Sequence, residues 1–339
     1  KQKTNKTKQQ KTMSKKTICI GNALVDKICM LENDDMLSSE NLPKGSMQII
    51  SQEESIRLQE ATSKLKSEIS TGGSAANTAN GLANLNIETA YIGMVGKDQY
   101  GDFYMEDMQK NNIKTNFFKS ETTQTGLALA LVSKDGERTF ATHLGAAIEL
   151  NASLITKELF EGYDYLHIEG YLISNRDLFK KIIECGKQSG CKISIDLASY
   201  NVVEENLEFL QEVCKGVEVI FANEQEAEAF TKTSAEEAVH IIAQYANIAV
   251  VKLGAKGSII KQGEQITTIQ EVKREKIDTT GAGDLYASGF LAGLCQDLPL
   301  NQCGKMGSVL AGNVIEIMGT KMSPERWSKI KEEISNSKK

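Results

Sequence analysis

Hydrophobic positions along this chain change their period several times. KTICIGNALVD (16–26) begins as a short apolar strand that ends at Gly21 and a polar turn. QEESIRLQEATSKLKSEI (52–69) spaces its apolar residues as a helix does, and the pattern predicts one amphipathic helix over the whole stretch. GGSAANTANGLANL (72–85) predicts a glycine turn feeding a helix of small residues, and ETAYIGMVG (88–96) a strand. DQYGDFYMEDMQKNN (98–112) predicts a helix that stops at its asparagines. TGLALALVSKDGERTFATHLG (125–145) instead alternates on both sides of a Lys-Asp-Gly turn, as a hairpin does.

From Tyr163 onward the rhythm steadies. YDYLHIEG, CKISIDLA, VEVIFAN, IAVVKLG and GSII read as apolar strands, and RDLFKKIIECGKQSG and SAEEAVHIIAQYA as helices between the earlier ones. Such alternation predicts a mostly parallel sheet covered by helices on both faces, a three-layer α/β/α sandwich. The hairpin and LPKGSMQII (42–50) fall outside the rhythm and predict a small antiparallel sheet, placed as a lid beside the strand ends. The lid is expected near 27–51 and 117–143, within a single domain spanning 13–335.

Composition narrows the partners. Charged residues make up 25% and hydrophobic residues 40% of 339, ordinary usage for a globular chain. Lys1 to Lys16 holds seven lysines and no acid, so the other residues carry −13 of charge beneath the −6 total. An acidic body argues against nucleic acid as a partner. The first 12 residues contain no hydrophobic side chain and are expected to be a disordered basic leader. No apolar segment follows the lysines as in a secretory signal, and GLALALV (126–132) is too short to cross a bilayer, so a cytoplasmic protein is expected. The seven cysteines lack C-x-x-C spacing and sit mostly in apolar runs, as reduced core residues do.

Several chemistries fail inspection. The chain has no G-x-x-x-x-G-K-[ST], and Gly281, Gly283 and Tyr286 do not complete G-x-G-x-x-G. Three widely spaced histidines, His143, His167 and His240, give no metal cluster or serine triad. What remains is DTTGAGDLYASGFLAG, Asp278 to Gly293. A helix opening after that turn would leave the amides of Gly281, Ala282 and Gly283 without intrahelical partners, at the positive end of the dipole. That place suits a phosphate, and Asp284 beside it suits a proton acceptor whose pKa the helix start should lower. The alternative is an aspartate that only caps a helix. TGGSAANTANGLANL (71–85) offers a second such turn. Gly72 and Gly73 admit a close ligand, Asn77 can donate to and accept from sugar hydroxyls, and Asp26 suits vicinal hydroxyls. Tight helix–sheet packing through Gly and Ala is the other reading of that stretch.

Together, GGSAANTANGLANLN with YIGMVGKDQYG, FANEQEAEAF and DTTGAGDLYASGFL resemble, in order, the signatures of the ribokinase/PfkB family of sugar and nucleoside kinases. The resemblance runs from about Ile18 to Trp327. It implies the ribokinase-like fold and phosphoryl transfer from ATP with Mg²⁺. It implies Asp284 as base, Gly281, Ala282 and Gly283 as anion hole, and Arg138 reaching the phosphate from the lid. Asp26, Asn22, Gly72, Gly73, Asn77 and Glu169 match the acceptor site. Asn223, Lys252, Gly254, Gly257 and Asn313 match the nucleotide side, with Glu226 ordering Mg²⁺ through water. Asp278, Thr280, Gly319 and Ser323 match the ligands of a monovalent cation such as K⁺. GNALVDKICML, LPKGSMQII and HLGAAIEL resemble the adenosine-kinase-like branch, and Ser74 stands where ribokinases typically carry lysine. Adenosine is the acceptor this implies, with Met47, Ile49, Leu129 and Leu131 available to the base. A sugar kinase of the fructokinase, ribokinase or 2-keto-3-deoxygluconate kinase type is the alternative, and an inactive ligand sensor the rival from another class. Both a monomer and a homodimer fit the resemblance.

Overall fold

The computed structural model describes residues 15–337, so the basic leader lies outside the described residues. In chain order the described strands are β1 (Thr17–Ile20), β2 (Leu24–Met30), β3 (Met47–Ile49), β4 (Ser67–Gly72), β5 (Thr89–Gly96), β6 (Ile113–Ser120) and β7 (Gly126–Val132). They continue with β8 (Arg138–His143), β9 (Tyr165–Glu169), β10 (Lys192–Asp196), β11 (Val217–Asn223), β12 (Ala246–Lys252), β13 (Ser258–Gln262) and β14 (Gln265–Ile269). The large sheet runs β14-β13-β12-β11-β10-β9-β1-β5-β6. From β12 to β6 its neighbours are parallel, and β13 and β14 close one edge antiparallel.

Its central strands are apolar on both faces because each face meets a core. Ile18 and Ile20 point into one core, shared with Phe179 and Ile182 of the helix Arg176–Gln188. Cys19 points the other way, among Phe290 and Leu291 of the helix Ala282–Cys295. Burying each such large side chain contributes about 1.5–3 kcal/mol. The helix Arg176–Gln188 starts where the Asn175 side chain accepts from Leu178 N–H, and it turns Leu178, Phe179, Ile182 and Ile183 inward. All seven cysteines are buried and none is in a disulfide, as their apolar surroundings predict.

The smaller sheet runs β3-β8-β7-β2-β4 and departs from expectation in three ways. It is mixed, since β2 with β7 and β3 with β8 are parallel. Residues 117–120 belong to β6 of the large sheet rather than to the lid. The predicted helix over 52–69 ends at Ala61, and Ser67–Gly72 is β4. A capping box of Ser51 and Glu54 fixes the helix start. Pairing of β4 with β2, from Leu24↔Gly72 to Cys29↔Ser67, outweighs helical spacing beyond it. Cys29, Leu37, Leu42, Leu58, Leu129 and Leu131 give this sheet its own core.

The helices Ser74–Asn84 and Ala282–Cys295 cross at small residues. Gly81 lies so close to Ser288 and Leu285 that a side chain there would overlap Ser288. Gly81→Val should therefore wedge the helices apart. A loss of about 1–3 kcal/mol is expected by denaturant melting, and an unchanged midpoint would contradict close packing as the reason for glycine.

Candidate active site

The crossing just described brings two glycine turns together. The first ends β4. Tyr104, fully buried, donates to the Gly72 carbonyl at 2.8 Å, and the Asp26 carboxyl covers Gly72 so closely that a side chain there would overlap it. Gly73 has φ of 95° and lies against the Asn22 carbonyl, which leaves no place for a Cβ. The second turn is closed by Ala282 N–H donating to the Thr279 carbonyl at 3.2 Å, with Gly281 in the left-handed position at φ 73°. This corrects the expectation of three free amides. Ala282 is spent on the turn itself, and the cradle is left to Gly281 and Gly283.

Asp284 stands one residue beyond, where the two helix starts meet. Ser74 Oγ donates to its Oδ1 at 2.8 Å and Asn77 Nδ2 to its Oδ2 at 2.9 Å. Thr320 Oγ donates to Asn77 Oδ1 at 3.0 Å and so fixes which way that amide faces. Thr78 and Ser288 donate to the Asp284 backbone carbonyl at 3.2 and 2.9 Å. The sequence singled out Asn77 and Asp284 but not Ser74 and Thr320 as their supports. The carboxyl is not a weak base, contrary to the helix-start argument. Burial raises its pKa to about 6 against the bonds from Asn77 and Ser74 and the charge of Lys252, with Asp196 adding to the rise. Desolvation outweighs the helix dipole here.

The neighbouring acids are pushed the same way. Burial raises Asp26 to about 7, opposed by Lys321 and Arg138 and reinforced by Asp284. Lys321 is itself held by Asp107 at 3.0 Å and by Thr71, a support with no signal in the local sequence. Glu169 does not face the acceptor site as expected. It is 2% exposed, with Oε1 accepting from Asn22 Nδ2 at 2.8 Å and Oε2 from Ala75 N–H at 3.0 Å. Burial raises its pKa to about 7 against these bonds. Asn22 likewise spends its amide on Glu169.

Arg138 reaches the second turn from β8. Its Nη1 lies 2.8 Å from Asp278 Oδ2, and both side chains are nearly buried. Arg138 Nε and Nη2 are buried without a hydrogen-bond partner. Unpaired buried guanidinium donors beside an amide cradle fit an anion such as a phosphate. Asp278 also accepts from Thr280 N–H and Oγ at 3.0 and 2.8 Å and from Gly319 N–H at 2.7 Å. Ser323 accepts from Arg326 N–H at 3.3 Å, as cap of the C-terminal helix. These side chains therefore do not fit an alkali cation, because a guanidinium and backbone donors already satisfy the carboxylate.

On the nucleotide side, Asn223 and Glu226 form a reciprocal capping box. Asn223 N–H and Nδ2 donate to Glu226 at 2.8 and 2.7 Å, and Glu226 N–H donates back to Asn223 Oδ1 at 2.9 Å. Burial raises the pKa of Glu226 despite Lys252. A carboxylate so committed fits Mg²⁺ only through water, and among the described residues no cluster of three or more His, Cys, Asp or Glu could hold a metal directly. Gly254 is exposed, while Gly257 is packed against the Ile269 carbonyl and serves the β12–β13 connection. Asn313, expected on the nucleotide side, is engaged by its own surroundings. It is 6% exposed, and its amide donates to the Val309 carbonyl at 2.9 Å, four residues back along its helix. Asp196, which the sequence reading passed over, ends β10 and accepts from Lys252 Nζ at 2.9 Å. An acid at the carboxyl end of the apolar strand ISID was the available signal.

The smaller sheet turns one face to this site. Register places Asp26, Ala128, Thr142 and Ile49 in one row and Ile28, Ala130, Phe140 and Met47 in the next, with Arg138 in the row after. Met47 and Ile49 are 59% and 61% exposed on that face, whereas Leu129 and Leu131 are buried on the other, in the lid's own core.

A model of the family described as pfkB family carbohydrate kinase matches residues 45–326. A protein of Archaeoglobus fulgidus described as an uncharacterized sugar kinase is 29% identical over 250 residues, 71% of this chain and 96% of its own length. The crystal structure of a "probable sugar kinase protein" from Rhizobium etli superposes with a TM-score of 0.84 at 31% identity, over 94% of this chain and 98% of that one. That of adenosine kinase from Sinorhizobium meliloti superposes with a TM-score of 0.82 at 29% identity, over 94% and 99%.

The raised carboxyls have a consequence for stability. A buried acid whose folded pKa exceeds its unfolded value binds more protons in the native state between the two, so it lowers stability as pH rises through that window. For Glu169 the window runs from the ordinary carboxylate range to about 7. Melting temperature should fall between about pH 5 and about pH 8, and Glu169→Gln should flatten that fall. An equal slope in the variant would remove Glu169 from the explanation.

Proposed function

The chain belongs to the pfkB family of carbohydrate kinases, and from that premise we propose that it transfers the terminal phosphoryl group of ATP to the primary hydroxymethyl group of a nucleoside, adenosine first. The chain is a kinase of sugars or nucleosides. The observation that carries the finer reading is the shared orientation of two features. Asp284 is held by Ser74 and Asn77 at the cradle, and the lid face that holds Asp26 also carries Ile28, Phe140, Met47 and Ile49. An acceptor with a ribose at Asp26 and a flat apolar base against those side chains uses both. A free sugar leaves the apolar row in water, although the sugar-kinase relatives keep it as the second reading.

The chemistry follows from the placement. Asp284, ionised at neutral pH, aligns the acceptor hydroxyl and takes its proton as the oxygen–phosphorus bond forms and the bond to ADP breaks. Gly281 and Gly283 offer N–H groups, and Arg138 its unpaired donors, to the charge on the moving group. Bending the lid over the acceptor excludes water that would otherwise take the phosphoryl.

Asp284→Asn should lower kcat by about 10²–10⁴-fold while calorimetry still detects acceptor binding. In the parent enzyme kcat should rise with pH through about 6, and the variant should lose that limb. Full turnover in Asp284→Asn would remove it as the base.

The acceptor itself is tested by a coupled assay of adenosine beside ribose, fructose and 2-keto-3-deoxygluconate. Adenosine should give the highest kcat/KM, and Met47→Ser with Ile49→Ser should raise its KM by about tenfold through lost apolar burial. A preference for a free sugar, untouched by the two substitutions, would overturn the nucleoside reading.

A further inference from the structure

We propose that Lys252 is a catalytic residue, a built-in cation that binds the migrating phosphoryl group, and that Asp196 is the residue that positions it. The proposal rests on the kinase reading above and deepens the nucleotide-side match of Lys252 into a role on the phosphoryl group in transfer, with Asp196 as its support. Lys252 ends β12 and Asp196 ends β10, with β11 between them in the sheet. Both therefore rise from the carboxyl edge of the parallel strands, on the side where the cradle lies. The Lys252 ammonium is 2.9 Å from Asp196 Oδ2, with the two side chains 13% and 7% exposed. It is also 3.0 Å from where a Cβ on Gly283 would stand, so the ammonium borders the cradle itself.

The charge balance explains why the lysine is there. Asp196, Glu226 and Asp284 all act electrostatically on Lys252. A phosphate brought to Gly283 would meet three acids unless a cation met it first. Arg138 approaches from the lid and is engaged by Asp278. Lys252 approaches from the sheet, where the scaffold is rigid. Burial opposes its charge, and the surrounding carboxylates outweigh burial and keep the ammonium protonated. It moves no proton in the step. The hydroxyl proton goes to Asp284, the phosphorus–oxygen bond to ADP breaks, and the ammonium holds the charge on the phosphoryl oxygens during transfer.

A buried ion pair can also be merely structural, and a charge-balanced double variant separates the two roles. Lys252→Met alone strands Asp196 and can unfold the protein, whereas Lys252→Met with Asp196→Asn removes both charges together. The double variant should melt within a few degrees of the parent but turn over about 10²–10³-fold more slowly. Its KM for the acceptor should be unchanged, and its affinity for a non-hydrolysable ATP analogue lower. Lys252→Arg should recover part of kcat, and Asp196→Asn alone should cost about tenfold, because the ammonium is present but unanchored. A double variant with parental kcat and parental analogue affinity would make the pair structural and overturn the proposal. If the parent turned over none of the acceptors, the kinase reading would fail separately, and analogue binding by the double variant would still decide the role of Lys252.

Discussion

One carboxyl group must stand where two helices begin, and much of the molecule is arranged to hold it there. Asp284 accepts from Ser74 and Asn77, residues more than two hundred positions away in sequence. The approach requires that Gly81 carry no side chain, so that Ser288 and Leu285 can lie against the first helix. It requires Tyr104 to fix the carbonyl of Gly72. It also requires two cores, one on each face of the large sheet, since the helices that meet at Asp284 lie on the same face and must be anchored by strands buried from both sides. The same enclosure that fixes the carboxyl also desolvates it and makes it more basic.

That desolvation is shared. Asp26, Glu169 and Glu226 are also raised, each by burial before any other cause. Acids gathered in one region cannot all be ionised cheaply without cations, and Lys252, Lys321 and Arg138 are drawn in toward them. Each of these cations has an acid partner of its own, Asp196, Asp107 and Asp278. The three ion pairs cancel among themselves, and the four raised acids keep no cation of their own, so burial makes their ionisation costly.

Sequence made part of this legible. Alternation of apolar runs announced a parallel sheet, and the two glycine turns announced the helix starts, because both signals are local. Asp284 and Asn77 were visible through their place beside those turns. What stayed hidden depends on partners remote in the chain. The helical spacing of 62–69 competed with pairing to β2, and the pairing prevailed. Glu169 resembled a ligand until its oxygens proved to be filled by Asn22 and Ala75. Asp278 resembled a cation ligand until Arg138 arrived from another sheet. Asn313 sits in a favourable stretch of sequence, yet its helix turns the amide back on its own backbone.

The position of Glu169 has a mechanical result. Asn22 lies just before β2, where the chain leaves the large sheet, and Ala75 just after β4, where it returns. A single carboxylate grips both crossings. The chain passes between the sheets twice more, from β6 to β7 and from β8 towards β9, and Glu169 is the mounting of the first pair of crossings. Torque applied at the far rim of the smaller sheet, by anything that settles against Met47 or Ile49, passes through that mounting into the first turn of the helix that presents Asn77 to Asp284.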